Sequence, residues 1–436
     1  MATVTYGTSG LATTVTIRPR GATISVGFTS SIALVGGYDA SNGNGSPNSV
    51  EYVADETDAS DLFGEGSELH HATDYAYKND VSDVYCIAVE ETNTTESVTS
   101  SASGTLSNTP FDPNVNTEHS ITFTDTSNST DFDTNIVYGT VEQPSSSETV
   151  NVNPVSGEWE ASTTSDFDIT YDYGDYATAL DKAASLDVRK VIALTEDDTY
   201  KSDAIADLDA AATDFDFKRA VSGAKPSIDV SAISDYTPSN EDQRLVEVAP
   251  SRDVLDDGTH VRMAAAVGAK MAAQPLGSSV TYSNLNGIND LHTKYRPSEA
   301  IDFDSVTAVT EGGEIVEGVT TSSESKFSDV FQCEIIDTVA LALHQIAKDY
   351  AGDAPNIDDE RANLRSDMIG VLASFATQNP PLLAAADGSQ PYAVQTDVGS
   401  NDDAVAVNVG IDVLDIIKEV SVNIDVGTIV TYGGAE

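Results

Sequence analysis

Val420, Val422, Ile424 and Val426 alternate with Ser421, Asn423 and Asp425, the two-residue period of a strand with one buried face. The pieces TVTY (Val4, Tyr6) and TVTI (Val15, Ile17) repeat that period near the other end. Pro19 and Gly21 follow them, one fixing φ and the other freeing it, so residues 1–20 read as an extended arm with a hinge at its base. An apolar run from Ile32 to Val35, closed by Gly36-Gly37, predicts a buried strand and a turn. Residues 58–80 show helical spacing, with Leu69, Thr73 and Tyr77 four apart, and DVYCIAVE at 83–90 reads as another strand.

From Glu91 to Asp166 the pattern loosens. Ser, Thr, Asn and Asp dominate, broken by short alternating pieces such as SITFT and TVNVNP. Phe123, Val137, Tyr138 and Trp159 supply apolar bulk there, so the segment reads as a small β-rich surface insertion rather than a disordered one. Residues 176–215 then read helix, strand, helix, and 244–275 read strand, loop, helix. That alternation predicts an α/β layer with parallel strands. Residues 305–321 look like a hairpin turning at Gly312-Gly313, 330–350 and 358–378 are the best helices, and strand pattern returns at 403–415. The predicted class is α/β (α+β), with a mixed-sheet core, a C-terminal α+β domain, a β-rich insertion and extended terminal strands. The divisions expected are an N-terminal arm at 1–20, the core at 21–90 and 167–305, the insertion at 91–166, the C-terminal domain at 306–419 and a strand arm at 420–436.

Charge changes the picture most. The chain has 436 residues, with 71 Asp+Glu against 21 Lys+Arg and a formal net charge of -50. The acids are spread along the whole length, so they form a solvated surface rather than an interaction tail. Such self-repulsion disfavours compact and assembled states in dilute buffer, and at ~1 M salt a Debye length of ~3 Å screens most of it. A halophilic cytoplasm is therefore expected. Nucleic acid is a poor partner for this field, because phosphate binding needs clustered Lys and Arg. The stretch MATVTYGTSGLATTV lacks the charged-then-apolar pattern of a secretion signal, and no apolar run approaches the length of a membrane span, so no direct membrane insertion is expected.

Candidate chemistry is sparse. His70 and Asp74 stand at i, i+4, a possible pair of metal ligands, yet no third ligand can be named. DFDTN at 131–135 begins like a calcium loop but lacks the glycine and the closing glutamate. NGNGS at 42–46 is a turn without the strand-loop-helix context of a phosphate cradle. GTHVRMAAA at 258–266 distantly echoes the serine-bearing turn of subtilisin-type proteases, with His260 in the nucleophile's place and no triad around it. Asn93-Thr94-Thr95 and Asn128-Ser129-Thr130 are formal glycosylation acceptors that would stay idle without secretion. Cys86 and Cys333 are too far apart for a metal motif and read as small buried hydrophobes. No enzyme, catalytic set, cofactor or metal site is predicted.

Five stretches in order carry a resemblance. They are 22–43 (a strand and glycine turn), 50–89 (Phe63-Gly64 before a helix and strand), 257–291 (a small-residue helix and loop), 312–350, and 405–426. Together they resemble the tail sheath proteins of contractile phages and related injection machines. The resemblance implies a structural subunit that stacks as helically wound rings around a tail tube and contracts to drive that tube through a host envelope. It implies a homo-oligomer, partnered by tube, baseplate and tail terminator proteins and located in a virion; together with the charge, this places the expected assembly in the cytoplasm of a halophilic, archaeal host. It further implies that the arms carrying Val4, Tyr6, Val15, Ile17 and Val420, Val422, Ile424, Val426 complete a sheet in neighbouring subunits, with Pro19 and Gly21 as hinges. Without it, the same strands would close the subunit's own sheet. Arg361 and Arg365, basic spots at i, i+4, would touch the tube or a neighbour, or else pair within their helix with Asp358. A β-rich virion surface or adhesin-type protein is the other class that fits the composition.

Overall fold

A computed structural model of the chain describes residues 30–109, 121–225, 228–351, 356–398 and 404–414. The terminal positions Val4, Tyr6, Val15, Ile17, Pro19, Gly21, Val420, Val422, Ile424 and Val426 lie outside the described residues.

The elements begin with β1 (Ser31–Gly36), β2 (Val50–Val53), α1 (Glu56–Phe63), α2 (Glu68–Lys78) and β3 (Asp83–Ala88). A second group of strands follows: β4 (Glu90–Thr105), β5 (Ile121–Asp125), β6 (Thr130–Ile136), β7 (Thr149–Val152) and β8 (Glu158–Asp175). Then come α3 (Ala177–Ala184), β9 (Lys190–Ala193), α4 (Asp198–Thr213), β10 (Arg219–Gly223) and β11 (Leu245–Ala249). Short strands β12 (Arg252–Val254) and β13 (His260–Arg262) lead into α5 (Ala264–Ala273), β14 (Asp290–Leu291), α6 (Pro297–Ala300) and β15 (Thr307–Ala308). The chain continues with α7 (Val330–Tyr350), α8 (Asp358–Thr377), β16 (Tyr392–Val398) and β17 (Val405–Ile411).

Seven strands form the central sheet in the order β15-β11-β10-β9-β1-β3-β2. All neighbours are parallel except β2, which runs antiparallel to β3 at one edge. Successive side chains of a strand point to opposite faces, and both faces here are covered. Ile32, Leu34, Ile192 and Val221 pack against α2 and α5 on one side. Ala33, Val35, Val191 and Ala193 pack against α3 and α4 on the other. Burial on both faces explains the near-continuous apolar runs of β1 and β9. Helix α5 lies close to the sheet because Gly268 has no side chain: a Cβ there would meet Ile192 at 2.7 Å.

The residues between β3 and α3 form a separate five-stranded sheet, β4-β8-β5-β6-β7, in which β7 also pairs with β8. The long strand β8 thus closes β5, β6 and β7 into a small barrel, while β4 runs beside it as a stem from Glu90↔Asp175. Phe123, Phe132, Trp159 and Phe167 fill the barrel in edge-to-face contacts of 5.1–6.0 Å. Because β6 and β7 are parallel, the connection 137–148 must run back along the barrel, and Asn153 and Asn151 donate to its Gly139 and Glu142 carbonyls.

Some local expectations shift. The helical stretch 58–80 belongs to two helices, parted where Gly64 and Gly66 take φ of 87° and 82°. At Gly312-Gly313 there is a tight turn, with Gly313 N–H donating to Thr310 O at 2.8 Å and an isolated bridge between Val309 and Ile315. Two short flanking stretches there are too brief to become paired strands.

Candidate assembly interface

Helices α7 and α8 pack through Phe331, Ile335, Val339 and Ala342 against Leu364, Met368, Leu372 and Phe375. The hairpin β16–β17 lies on them, in register from Tyr392↔Ile411 to Val398↔Val405. Its alternation decides its orientation. Tyr392, Val394, Val405, Val407, Val409 and Ile411 join the helical core, whereas Ala393, Gln395, Asn408 and Gly410 face solvent. Asn356 Nδ2 donates to Ala404 O at 2.9 Å, and Thr396 Oγ1 to Arg361 O at 3.4 Å, fixing the hairpin on α8.

Among the described residues neither outer edge of this hairpin is paired with another strand. Two seven-residue strands therefore present backbone N–H and C=O groups along both sides, the template for strand addition. Other sheet edges are blunted. β15 has two residues and β2 four, while the long outer strand β4 is Ser/Thr-rich and interrupted by register shifts between Val98 and Ser103.

The helical pair is joined to the central sheet by charge. Lys190, Arg219 and Arg244 stand at or just before the starts of β9, β10 and β11, and all three are buried. From α7, Glu334 pairs with Arg189 at 2.6 Å and with Lys190, while Asp337 pairs with Arg219 at 2.7 Å. Burial alone would raise the Glu334 carboxyl. The Lys190 and Arg189 charges outweigh that and hold it at about 2. Two turns beyond Asp337 on α7, His344 stacks on Phe215 at 3.5 Å. Helix α7 is apolar enough over its 21 residues to cross a bilayer by composition, and here it is a core helix whose Glu334 and Asp337 are in ion pairs with buried cations.

A second buried network lies at the other end of the strands. Glu196 takes Arg252 at 3.0 Å and Arg262 at 3.1 Å, Arg262 also reaches Glu68, and Lys201 pairs with Glu247 at 2.9 Å. Sequence reasoning missed both networks. A signal existed: VRKVIA, FKRAVS and QRLVEV each place cations directly before an apolar strand, in a chain with only 21 of them.

The remaining candidates separate. Arg361 is mostly buried and donates to Asn356 O at 3.2 Å and Asn356 Oδ1 at 2.5 Å, besides pairing with Asp358. Arg365 is exposed one turn on, with no ion pair among the described residues. His70 Nδ1 accepts from Gly66 N–H at 3.0 Å while Asp74 pairs with Lys78 at 2.5 Å, so the two serve different partners. Among the described residues no group of three or more His, Cys, Asp or Glu side chains could hold a metal ion.

No protein-family description matches the chain, and no curated protein matches it by sequence. Solved structures do match. The helical sheath of the anti-feeding prophage in its contracted state aligns with a TM-score of 0.56 at 8% identity, over 97% of each chain. The contracted PVC sheath complex of an extracellular contractile injection system gives 0.56 at 11% identity, over 97% of this chain and 99% of that one. A sheath tail protein from Desulfitobacterium hafniense gives 0.52 at 14%, over 93% and 98%. From the central sheet through the inserted barrel to the C-terminal hairpin, this chain has the fold of contractile tail sheath proteins.

Proposed function

We propose that this chain is the structural subunit of a contractile tail sheath, stacking as helically wound rings around a tail tube. The observation that carries this reading is the end-to-end likeness to sheath structures, covering 97% of the chain. The open hairpin β16–β17 supports it as the receiving sheet for strand exchange. Its two outer edges, without a neighbouring strand among the described residues, match two arms in number: one carrying Val4, Tyr6, Val15 and Ile17, the other Val420, Val422, Ile424 and Val426. Each backbone hydrogen bond contributes only ~0.5–1.5 kcal/mol net, so one short strand gives a few kcal/mol and the lattice multiplies it. Pairing through backbone also requires no opposite charges, which suits two surfaces of the same sign. Pro19 and Gly21 serve as hinges that absorb subunit rotation on contraction. Work comes from new contacts between neighbours, without nucleotide hydrolysis.

In this arrangement the C-terminal domain faces the tube protein and the barrel faces outward, with baseplate and terminator proteins at the ends. Arg365, exposed on α8, is the cation available to an acidic tube or neighbour, whereas Arg361 mainly anchors the start of its own helix. The particle is a virion tail assembled in the cytoplasm of a halophilic archaeal host.

Electron micrographs of the purified protein in molar salt test this directly, with tubes or polysheaths as the expected result. Only monomers at every salt concentration would count against a sheath. Deleting 1–16 or 421–436 should leave a folded subunit that no longer polymerises, and normal polymerisation of either truncation would sink strand exchange alone.

A further inference from the structure

The barrel has its own aromatic core and joins the rest of the molecule through the β4/β8 stem. Away from that stem, contacts at Thr109 and Tyr138 help to seat it. Thr109 Oγ1 donates to Asp197 Oδ2 at 2.7 Å. On the connection 137–148, Tyr138 enters a socket built on the three-stranded sheet β13-β12-β14. The Arg252 guanidinium lies 4.1 Å from the centre of its ring. His260 lies 4.8 Å away and His292 6.0 Å away, and the two imidazoles are 5.2 Å apart.

We propose that Tyr138 and this socket form a latch that holds the insertion barrel against the core, and that acid opens it, leaving the barrel to swing on its two-stranded stem. An aromatic ring over a desolvated guanidinium is a strong contact for its size. Arg252 is itself buried and held by Glu196, so the socket is rigid on the core side. Its charge is finely balanced. The groups around it are Arg252 from β12, Arg262 from β13, Glu196 from the end of β9, Tyr176 at the start of α3, and His292 after β14. Glu196 is shared by the two arginines, and Arg262 also pairs with the buried Glu68, so each guanidinium already has its carboxylate. Burial, then Arg252, then His292 push His260 down to about 4, and its Nδ1 is buried without a hydrogen-bond partner. At neutral pH the ring is uncharged and packs against Tyr138. A second positive charge beside Arg252 meets the repulsion of that guanidinium, and imidazolium regains its solvation by opening the socket.

The test is a distance measurement on the full chain in molar salt, between spin labels on Ser127→Cys at the barrel's exposed β5–β6 turn and Ser202→Cys exposed on α4. The two native cysteines are buried. A single narrow distance is expected at pH 7.5, broadening as the pH falls toward 4. Tyr138→Ala should be broad at every pH, Tyr138→Phe narrow at pH 7.5, and His260→Gln/His292→Gln narrow throughout. Trp159 emission, from inside the barrel, reports that each variant has folded. A narrow distance in folded Tyr138→Ala overturns the latch. Broadening of the histidine double variant at the same pH as the unsubstituted chain overturns its acid trigger. Neither result bears on whether the subunits assemble as a sheath.

Discussion

Glu334 bears more of the subunit's integrity than its position on a long apolar helix suggests. Its carboxylate answers two buried cations, Arg189 and Lys190, from the central sheet. Replacing it by glutamine takes the paired carboxylate from Lys190 and one partner from Arg189, the circumstance in which breaking a buried pair costs about 3–5 kcal/mol. The expected result for Glu334→Gln is a loss of that order in denaturant unfolding at neutral pH. The sign with pH follows from the carboxyl being held at about 2, below the ordinary 4.5. Its contribution is complete above about pH 4.5 and drains as the pH falls toward 2. Glu334→Gln should therefore show a flatter acid limb than the unsubstituted protein, and an equally steep limb would assign acid sensitivity elsewhere. None of this was legible from Glu334 alone, since a carboxylate in a helix usually faces water. What could be read was the cationic side of the pair, because arginine and lysine directly before buried strands need an answering charge from somewhere distant in sequence.

Elements were legible where one period ran long enough to exclude another. Helices α7 and α8 and the strands β1, β3 and β17 follow from their apolar spacing, and alternation of helix with strand led to the parallel sheet. Closure of the barrel was not legible, because β8 must bend to meet β5 as well as its sequence neighbour β7, and β5 and β8 lie far apart in sequence. The stem does contain one readable constraint, Gly104 opposite Trp159. A Cβ at that position would meet the indole ring at 2.9 Å. Gly104→Val should overpack the barrel and cost about 1–3 kcal/mol, with Trp159 emission shifting to the red and early proteolysis confined to 90–175. Unchanged emission and unchanged proteolysis would mean that the barrel rearranges around the added methyls. The hairpin β16–β17 was half visible: the alternation of Val405, Val407 and Val409 marked a strand, but nothing local showed that, among the described residues, its outer edges have no neighbouring strand.

At the scale of the whole molecule the two kinds of charge are sorted by depth. Lys190, Lys201, Lys218, Arg219, Arg244, Arg252 and Arg262 are buried, seven of the 21 cations. The buried carboxylates among the described residues are Glu68, Asp125, Glu196, Asp197, Glu247, Asp253 and Asp329. Among those residues folding thus withdraws as many cations as anions from a chain that holds 21 of one and 71 of the other, so the surface left to solvent is more one-sided than the composition. The interior pairs lie beyond the reach of mobile ions, whereas repulsion across the exterior falls as the Debye length shortens from ~10 Å at 0.1 M to ~3 Å at 1 M. Salt should therefore act on the outside alone. The melting temperature is expected to rise steadily with NaCl over that range, and the slope in Glu334→Gln should match that of the unsubstituted protein, displaced downward as a whole. Sucrose at matched water activity should reproduce little of the rise, since it excludes itself from surfaces without screening charge. If sucrose matched NaCl, hydration rather than repulsion would set the salt requirement. A flat response to both would mean that a formal charge of -50 is tolerated without screening, and the halophilic reading of the composition would fail with it.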